Sequence, residues 1–181
     1  MGIFLKDINL KNKTALITGA TKGIGRGTSI ALAQAGANII AIGRNQPELI
    51  TLGKTIKKLK VKYECFNCDV NNYISMKTYI NKIKKLDILV NNAGTNIPEP
   101  FLNVRKKSME TILEVNTKAV FNIAQLCANQ IIKINKKGGS IINVSSIFGL
   151  VAGKNRTVYS MTKFGVEGLT KGMALDLAKY N

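Results

Sequence analysis

The stretch KTALITGATKGIGRGTSIALAQAGA, residues 13–37, joins a short apolar run to a turn rich in glycine and then to an amphipathic segment. The run KTALITGA predicts a buried β-strand. The segment that follows the turn predicts a helix over 25–37 with a stop signal at Gly36. A glycine turn lets the backbone approach a phosphate, and a helix N-terminus offers it free N–H groups. This position favours dinucleotide binding over a purely structural turn.

The glycines of this turn, Gly19, Gly23 and Gly25, have the spacing G-x-x-x-G-x-G. The spacing differs from the usual dinucleotide-binding pattern G-x-G-x-x-G. The turn also lacks the G-K-S/T ending of the phosphate-binding loops of nucleoside triphosphatases. The position of the turn, at the first strand–helix junction, therefore indicates more than its spacing does.

The rest of the chain alternates apolar runs with helical segments. Further strands are predicted at 38–43, 62–70, 87–94 and 139–146, and further helices at about 46–60, 74–86, 108–136 and 157–179. Such alternation predicts an α/β fold with a parallel sheet covered on both faces. We expect a Rossmann-like, doubly wound sheet in three α/β/α layers. One domain over residues 1–181 is the simplest organisation.

The chain is strongly basic, with 27 Lys and Arg against 10 Asp and Glu and a net charge of +17. An excess of positive charge of this size is compatible with binding to a polyanion or to an anionic membrane surface. The lysines are spread along the chain, however, and even the densest run at 54–62 fits a solvated helix face, so a specific nucleic-acid site is the less favoured reading. No apolar run approaches the roughly 18–20 residues of a membrane span. The N-terminus does not resemble a secretory signal, and we expect a cytoplasmic protein.

The chain has three cysteines and no histidine. Cys65 and Cys68 have the C-x-x-C spacing of redox and zinc motifs, but they lie in a predicted strand, whereas a redox pair belongs at a helix start. A zinc site needs further ligands. We therefore expect ordinary reduced cysteines and no metal site.

The second predicted strand ends in AIGRN, where dinucleotide-binding folds select their cofactor. An acid at this position would bind the ribose 2′-hydroxyl of NAD, whereas a basic residue accommodates the 2′-phosphate of NADP. Gly43 stands near the position of the acid, Arg44 follows it, and Lys22 in the glycine turn is a second candidate cation. Arginine binds phosphate bidentately. The pattern favours NADP(H) as the cofactor, with NAD(H) as the alternative. The non-functional interpretation is that Arg44 simply faces solvent.

Tyr159 and Lys163 are four residues apart in a predicted helix and so share one face. A free tyrosine has a pKa of about 10, and a nearby ammonium stabilises the phenolate form. Such a tyrosine can exchange a proton with a carbonyl or alcohol oxygen in a chain without histidine. Ser146, at the end of a predicted strand, lies where ligands of parallel sheets bind. The spacing alone also fits a surface pair.

Taken together, TGATKGIG, CDV, NNAG, VN, SS and YSMTK resemble the short-chain dehydrogenase/reductase family. The resemblance implies that Tyr159 is the catalytic acid/base, that Lys163 assists it and binds the nicotinamide ribose, and that Ser146 orients the substrate oxygen. It implies that Asn116 kinks a helix and holds a water of a proton relay, while Ser145 helps to close the strand end. The implied cofactor contacts are Gly19, Thr21, Lys22, Gly23, Ile24, Gly25, Arg44, Asp69, Val70, Asn92, Ala93, Gly94, Tyr159 and Lys163.

Members of that family continue beyond the tyrosine–lysine helix, and this chain resembles about their first two-thirds. We therefore expect a C-terminally truncated chain that lacks the last strands and exposes apolar surface beside the fifth strand and on the last helix. The leading function is interconversion of a ketone and a secondary alcohol with NAD(P). A catalytically inactive dinucleotide-binding fragment is the alternative, and a polyanion binder is less favoured.

The segments at 95–103 and 149–158 are expected to border the substrate, and the second carries Lys154 and Arg156. Both cations are candidates to meet an anionic substrate, although solvated side chains are the preferred interpretation. The resemblance implies a small-molecule carbonyl or alcohol substrate, either a sugar acid or polyol or a 3-oxoacyl thioester. It also implies a homodimer or homotetramer of the full-length form, assembled through the helices at 108–136 and 157–179, with no membrane partner.

Overall fold

The computed structural model describes residues 8–135 and 138–181. Its strands are β1 (Thr14–Thr18), β2 (Asn38–Gly43), β3 (Tyr63–Asn67), β4 (Ile88–Asn91) and β5 (Ser140–Asn143). Its helices are α1 (Gly23–Gln34), α2 (Gln46–Lys57), α3 (Tyr73–Ile80), α4 (Lys106–Leu113), α5 (Ala119–Ile134) and α6 (Thr157–Leu177). A π-helical segment, Glu114–Lys118, joins α4 to α5.

The five strands form one parallel sheet in the order β3-β2-β1-β4-β5. In the register of the central strands, Leu16 of β1 lies between Ile40 of β2 and Leu89 of β4. The order reverses at β1, and the crevice beyond the strand ends at such a switch point is where ligands bind. The predicted Rossmann-like α/β fold is confirmed.

Alternate residues of the central strand, β1, pack into two separate hydrophobic cores. Ala15 and Ile17 pack into a cluster with residues of α1 and α2. Leu16, between them, packs on the opposite face with residues of α3, α5 and α6. All three are completely buried, which explains why β1 lacks the polar alternation of a strand with one wet face.

The structure corrects several predicted boundaries. Helix α1 begins at Gly23 and includes the last two glycines of the turn, and α3 ends at Ile80 rather than at residue 86. The predicted helix over 108–136 is three consecutive segments, because the π-helical turn interrupts it. Its expected end at residue 136, like residues 1–7 of the expected domain, lies outside the described residues.

Apolar side chains are exposed beside β5 and on α6. Ile142 is 47% exposed and Leu175 is 82% exposed. A cleft of about 250 Å³ between α5, β5 and α6 is lined mainly by apolar residues, among them Ile131, Ile141 and Met173. Strand β5 is one edge of the described sheet.

Within the described ranges, no helix has the length and apolarity that crossing a membrane requires. Cys65 lies in β3 and Cys68 just beyond it, both half-buried, and Cys127 is buried in α5. Burial raises the pKa of the Cys127 thiol to about 12. In the same ranges, no three acidic, cysteine or histidine side chains cluster as metal ligands would.

Candidate active site

The turn after β1 depends on glycine at two positions for different reasons. Gly19 has φ +63°, in the left-handed region that residues with a Cβ rarely adopt. Gly25 is buried, and a Cβ there would collide with the carbonyl oxygen of Gly19 and come within 2.5 Å of Nδ2 of Asn92. The turn and the start of α1 can therefore pack closely only without these side chains.

The N-terminus of α1 faces the same turn. Its N-cap residue, Lys22, has an extended backbone and makes no capping hydrogen bond with its side chain, and the first turn contains no acidic residue. The first backbone N–H groups of the helix therefore remain available to an anion. Ile24, in this first turn, is 68% exposed. This arrangement fits the phosphate groups of a dinucleotide.

The end of β4 is attached to the end of β1 by a group of four hydrogen bonds. Thr18 Oγ1 accepts hydrogen bonds of 3.0 Å from the backbone N–H groups of both Asn92 and Ala93. The side-chain amide of Asn92 donates in turn to the carbonyl oxygens of Thr18, at 3.0 Å, and Gly19, at 3.2 Å. The NNAG turn is thereby fixed against the glycine turn.

A cleft of about 860 Å³ runs along the carboxyl ends of these strands. Its size lies within the range of small-molecule and cofactor sites. The structure brings nine of the expected cofactor contacts to its wall: Gly19, Thr21, Lys22, Arg44, Asp69, Val70, Asn92, Ala93 and Gly94. Gly23, Ile24 and Gly25 belong to the adjoining first turn of α1.

Arg44 and Asp69 form an ion pair at the outer side of this cleft, with 3.4 Å between Nη1 and Oδ2. The Arg44 side chain is 78% exposed, and an exposed pair of this kind contributes little to stability. The pair instead holds a guanidinium beside the end of β2. Asp69 also accepts a hydrogen bond from the N–H of Asn71, which positions its carboxylate.

Asn116 lies in the π-helical segment with its side chain completely buried. Its Oδ1 accepts a 2.8 Å hydrogen bond from the N–H of Thr95, and its Nδ2 donates to the carbonyl oxygen of the same residue at 2.8 Å. Nδ2 also donates to Thr162 Oγ1 in α6 at 3.2 Å. One amide therefore joins the segment after β4 to the helix that carries Tyr159. Single-turn π-bulges occur frequently at functional sites.

Lys163 is buried in α6 and directs its ammonium toward the end of β5. Nζ donates a 2.7 Å hydrogen bond to the carbonyl oxygen of Val144 and lies 5.7 Å from the centre of the Tyr159 ring. Nζ is also 3.9 Å from the point where a Cβ on Gly94 would lie. Burial lowers the pKa of Lys163 from its ordinary value of 10.5. The tyrosine, the lysine and the NNAG turn are thus brought together.

Ser146 begins a short 3₁₀ turn after β5, and its Oγ accepts a 3.2 Å hydrogen bond from the N–H of Phe148. The Phe148 ring meets the Tyr159 ring edge to face, with 6.2 Å between the ring centres. The turn that carries the serine is therefore packed onto the tyrosine. Ser145 Oγ donates to the carbonyl oxygen of Lys163 at 3.3 Å, so this neighbour joins the end of β5 to α6.

Sequence reasoning did not single out Thr18, Thr95, Thr162 or the carbonyl oxygen of Val144. Each of these groups holds an expected site residue in place without belonging to a recognisable motif. Thr18 offers one usable signal, since a threonine at the end of an apolar strand must satisfy its hydroxyl when it is buried. The partners of the other groups depend on contacts between distant parts of the chain.

The residues of this site lie within the part of the chain that matches a known protein family. The family model described as short chain dehydrogenase matches residues 13–181. The chain belongs to the short-chain dehydrogenase family. The 3-oxoacyl-(acyl-carrier-protein) reductase FabG of Thermotoga maritima is 34% identical to this dehydrogenase over 178 residues, which cover 96% of this chain and 72% of the relative. The L-xylulose reductase of Mus musculus is 36% identical over 174 residues, with 96% and 69% covered.

The 2-dehydro-3-deoxy-D-gluconate 5-dehydrogenase of Dickeya dadantii is 32% identical over 186 residues, with 99% of this dehydrogenase and 71% of the relative covered. These relatives are oxidoreductases by name, and this dehydrogenase belongs to that enzyme class. It spans about 70% of their length.

Solved structures agree with the fold. A gluconate 5-dehydrogenase from Burkholderia cenocepacia, in complex with NADP and tartrate, has a TM-score of 0.90 and 32% identity, with 98% of this dehydrogenase and 70% of that chain covered. An NAD⁺-bound xylitol dehydrogenase has a TM-score of 0.90 and 28% identity, with 97% and 68% covered. The two neighbours hold different nicotinamide cofactors.

Proposed function

We propose that this dehydrogenase binds NADP(H) in the cleft beyond β1, β2 and β4 and interconverts a ketone and a secondary alcohol, with Tyr159 as the acid/base. The observation that carries the proposal is the position of the Lys163 ammonium, which is buried 5.7 Å from the Tyr159 ring and beside Gly94. When bound, the nicotinamide supplies or accepts the hydride. The remaining chemistry is binding, orientation and proton transfer by residues of this chain.

The cofactor proposal is supported by the shape and charge of the cleft. The glycine turn and the free N-terminus of α1 suit the pyrophosphate. Arg44, directly after β2, and Lys22, in the glycine turn, both line the cleft and are exposed to an incoming phosphate. No acidic residue stands at Gly43, where an acid would favour NAD. These features favour NADP(H), and the related structures contain NADP in one case and NAD⁺ in another.

For the chemical step we propose that Tyr159 gives a proton to the carbonyl oxygen in reduction and takes it back in oxidation. The Lys163 ammonium stabilises the phenolate form by charge, and its bond to Val144 fixes its position. Ser146 Oγ orients the substrate oxygen from the adjoining turn. Asn116 fixes the local backbone with its side chain, and we propose that its backbone carbonyl holds a relay water. General acid–base groups of this kind contribute about 10²- to 10⁴-fold in rate.

We also propose that the dehydrogenase forms homodimers through α4, α5 and α6. Phe121 on α5 and Met161 and Phe164 on α6 are each about half exposed. Burial of these apolar side chains against a second subunit would support the assembly. Sedimentation velocity of the purified chain tests this assembly, and a monomer at micromolar concentration would contradict it.

The test of function separates cofactor binding from turnover. NADPH is titrated by calorimetry into the wild type and into Tyr159→Phe. In a separate assay, oxidation of secondary alcohols by NADP⁺ is followed by the absorbance of the NADPH that forms. We expect both proteins to bind NADPH with the same affinity, and only the wild type to turn over. Tyr180→Phe, which removes the hydroxyl of an exposed tyrosine, is the control and is expected to keep full activity. Turnover by Tyr159→Phe would overturn the proposed mechanism, and NADPH binding without turnover by the wild type would indicate a binding protein.

A further inference from the structure

We infer that Arg156 binds a carboxylate of the substrate, so that the substrate of this dehydrogenase is a hydroxy acid or its oxo acid. The inference rests on the proposed function and specifies the substrate class of the same site. It assigns to Arg156 a role in binding and specificity and no part in proton transfer.

The first observation is an unsatisfied group. Nη1 of Arg156 is buried, and among residues 8–135 and 138–181 it has no hydrogen-bond partner. A guanidinium is charged at all working pH values and carries only donors. Burial of such a nitrogen without an acceptor is unfavourable, and a buried polar group left unpaired in a native fold requires an explanation. An anionic ligand supplies the missing acceptor.

The second observation is the position of Arg156 next to the proposed chemistry. It is the N-cap residue of α6 and precedes Tyr159 by three residues. Its Cγ lies 3.5 Å from the point where a Cβ on Gly153 would be, and the Phe148 ring lies 2.7 Å from that same point. Phe148 in turn packs edge to face against Tyr159. The arginine stem and the Phe148 ring therefore both lie beside Gly153, and Phe148 connects this group to Tyr159.

The third observation is that the acid on the opposite segment is already engaged. The N–H of Glu99 donates to the carbonyl oxygen of Asn155 at 3.2 Å, which brings the 95–103 segment to the residue before Arg156. The Glu99 carboxylate nevertheless accepts from the N–H of Arg105 at 3.0 Å, from its Nε at 2.5 Å and from Ser108 Oγ at 3.0 Å. The Glu99 carboxylate therefore already has Arg105 and Ser108 as partners, and Nη1 of Arg156 has none among the described residues.

The chemistry of the group decides between charged and neutral ligands. A guanidinium presents a planar pair of donors that matches a carboxylate, whereas a neutral polyol can accept only single hydrogen bonds. Lys154, two residues away, is exposed and holds a solvated point charge. Discrimination between an acid and its neutral analogue is therefore assigned to Arg156 rather than to the local positive charge in general.

The test compares D-gluconate with sorbitol, which share a carbon chain and differ at the terminal carboxylate. Oxidation of both by NADP⁺ is measured for the wild type, Arg156→Met, Arg156→Lys and the exposed control Lys154→Met. We expect Arg156→Met to lose about 10- to 100-fold in kcat/KM for gluconate, the range for a charged hydrogen-bonded pair, and less than about 3-fold for sorbitol. Arg156→Lys should recover part of the loss, and Lys154→Met should resemble the wild type. Equal losses on both substrates would overturn the inference.

A binding measurement keeps the inference testable if neither compound is turned over. Tartrate is titrated by calorimetry into the NADPH-loaded wild type and the NADPH-loaded variants. We expect Arg156→Met to bind tartrate at least about 10-fold more weakly than the wild type and Lys154→Met do. No binding by the wild type, or equal binding by Arg156→Met, would overturn the inference. A failure of NADPH to bind would count against the proposed function instead. Thermal unfolding of ligand-free Arg156→Met should show no loss of stability. Nη1 of Arg156 has no hydrogen-bond partner among the described residues, so its removal leaves no acceptor unpaired.

Discussion

Lys163 donates a 2.7 Å hydrogen bond from Nζ to the carbonyl oxygen of Val144, the residue that directly follows β5. The bond attaches the middle of α6 to the end of the sheet and fixes a charged group at the point where the strands stop. Burial lowers the pKa of this lysine. The hydrogen bond therefore fixes the place of the ammonium, and the burial of the side chain eases the loss of its proton.

Replacement of Lys163 by Met should reduce turnover by about 10²- to 10⁴-fold, the range for loss of a general acid–base group. The variant has no ammonium to stabilise the Tyr159 phenolate and leaves the Val144 carbonyl without its donor. Lys171→Met, at an exposed position of the same helix, is the control and should retain full activity. Initial rates with saturating NADP⁺ measure both. Activity of Lys163→Met within about 3-fold of the wild type would contradict the assignment.

The lowered pKa of Lys163 also gives an expectation for stability. Because its folded-state pKa lies below the ordinary 10.5 of the unfolded chain, the folded chain binds fewer protons between those two values. The contribution of Lys163 to the free energy of unfolding should therefore increase as the pH rises through this window. Urea unfolding of the wild type and Lys163→Met at several alkaline pH values isolates that contribution. A contribution that falls with rising pH would contradict the burial argument.

Replacement of Asn116 by Ala should lower the free energy of unfolding by about 1–3 kcal/mol, because it leaves half-buried backbone groups of Thr95 without their partner. It should also lower turnover, since the amide joins the segment after β4 to α6. Thr117→Ala, at the exposed neighbouring position, controls for the change in the π-helical segment. Urea unfolding and initial rates measure the two effects. An Asn116→Ala protein as stable as Thr117→Ala would show that these bonds contribute nothing.

Replacement of Arg44 by Asp should weaken NADPH binding by about 10- to 100-fold, which is the loss of charge-assisted hydrogen bonds to a phosphate. NADH lacks that phosphate, and its affinity should change by less than about 3-fold. The variant also places a second carboxylate beside Asp69. Lys54→Asp, at an exposed position of α2, makes the same change of charge away from the cleft. Calorimetric titration compares all four combinations, and equal losses for both cofactors would refute the NADP preference.

Replacement of Gly25 by Ala should destabilise the fold and abolish NADPH binding, because the new Cβ would meet the Gly19 carbonyl and the Asn92 amide. Gly27→Ala provides a matched comparison in the same helix, since a Cβ there meets nothing within 4 Å. It should stabilise the protein by about 0.5–1 kcal/mol through helix propensity. Thermal unfolding and NADPH titration distinguish the two variants. Similar behaviour of both would show that the close approach is not needed.

Replacement of Tyr79 by Phe should protect the protein at alkaline pH. Burial, followed by the nearby charges of Glu64 and Cys65, raises the pKa of Tyr79 from 10.0 to about 12. The unfolded chain therefore loses this proton first, and the associated stability, fully present below pH 10, is lost as the pH rises through 12. Unfolding in urea at pH 8 and pH 11.5 measures the difference, with Tyr73→Phe at an exposed position as the control.

At pH 8 the Tyr79→Phe variant should be at least as stable as the wild type. The hydroxyl of Tyr79 is buried and has no hydrogen-bond partner among the described residues, while its ring stacks on Phe66 at 4.3 Å and would continue to do so as phenylalanine. Loss of more than about 1 kcal/mol at pH 8 would mean that the hydroxyl has a partner after all.

The sheet could be predicted because a parallel strand covered on both faces must be apolar almost throughout. β1 and β2 follow this rule: β2 has its predicted bounds, whereas β1 begins one residue after and ends two residues before the bounds predicted for it. The π-helical interruption could not be predicted. It depends on the bonds from Asn116 to Thr95 and Thr162, which local periodicity does not encode.

The candidate site divides in the same way. The spacing of the glycines and the interval between Tyr159 and Lys163 are local features of the sequence. A helix alone places Tyr159 and Lys163 on one face. The carbonyl of Val144 and the unpaired nitrogen of Arg156 are properties of the packed chain. The ion pair between Arg44 and Asp69 likewise joins residues from the ends of two adjacent strands, and neither residue identifies the other in the sequence.

The bonds that join Thr18 to Asn92 span 74 residues, and the bond from Asn116 to Thr162 spans 46. Each closes a long loop before it returns any stabilisation, and contacts of this kind slow folding. During refolding from urea, helical circular dichroism should therefore recover before the capacity to bind NADPH. Cofactor binding would then report completion of the fold, and NADPH added early would accelerate none of the steps that precede it.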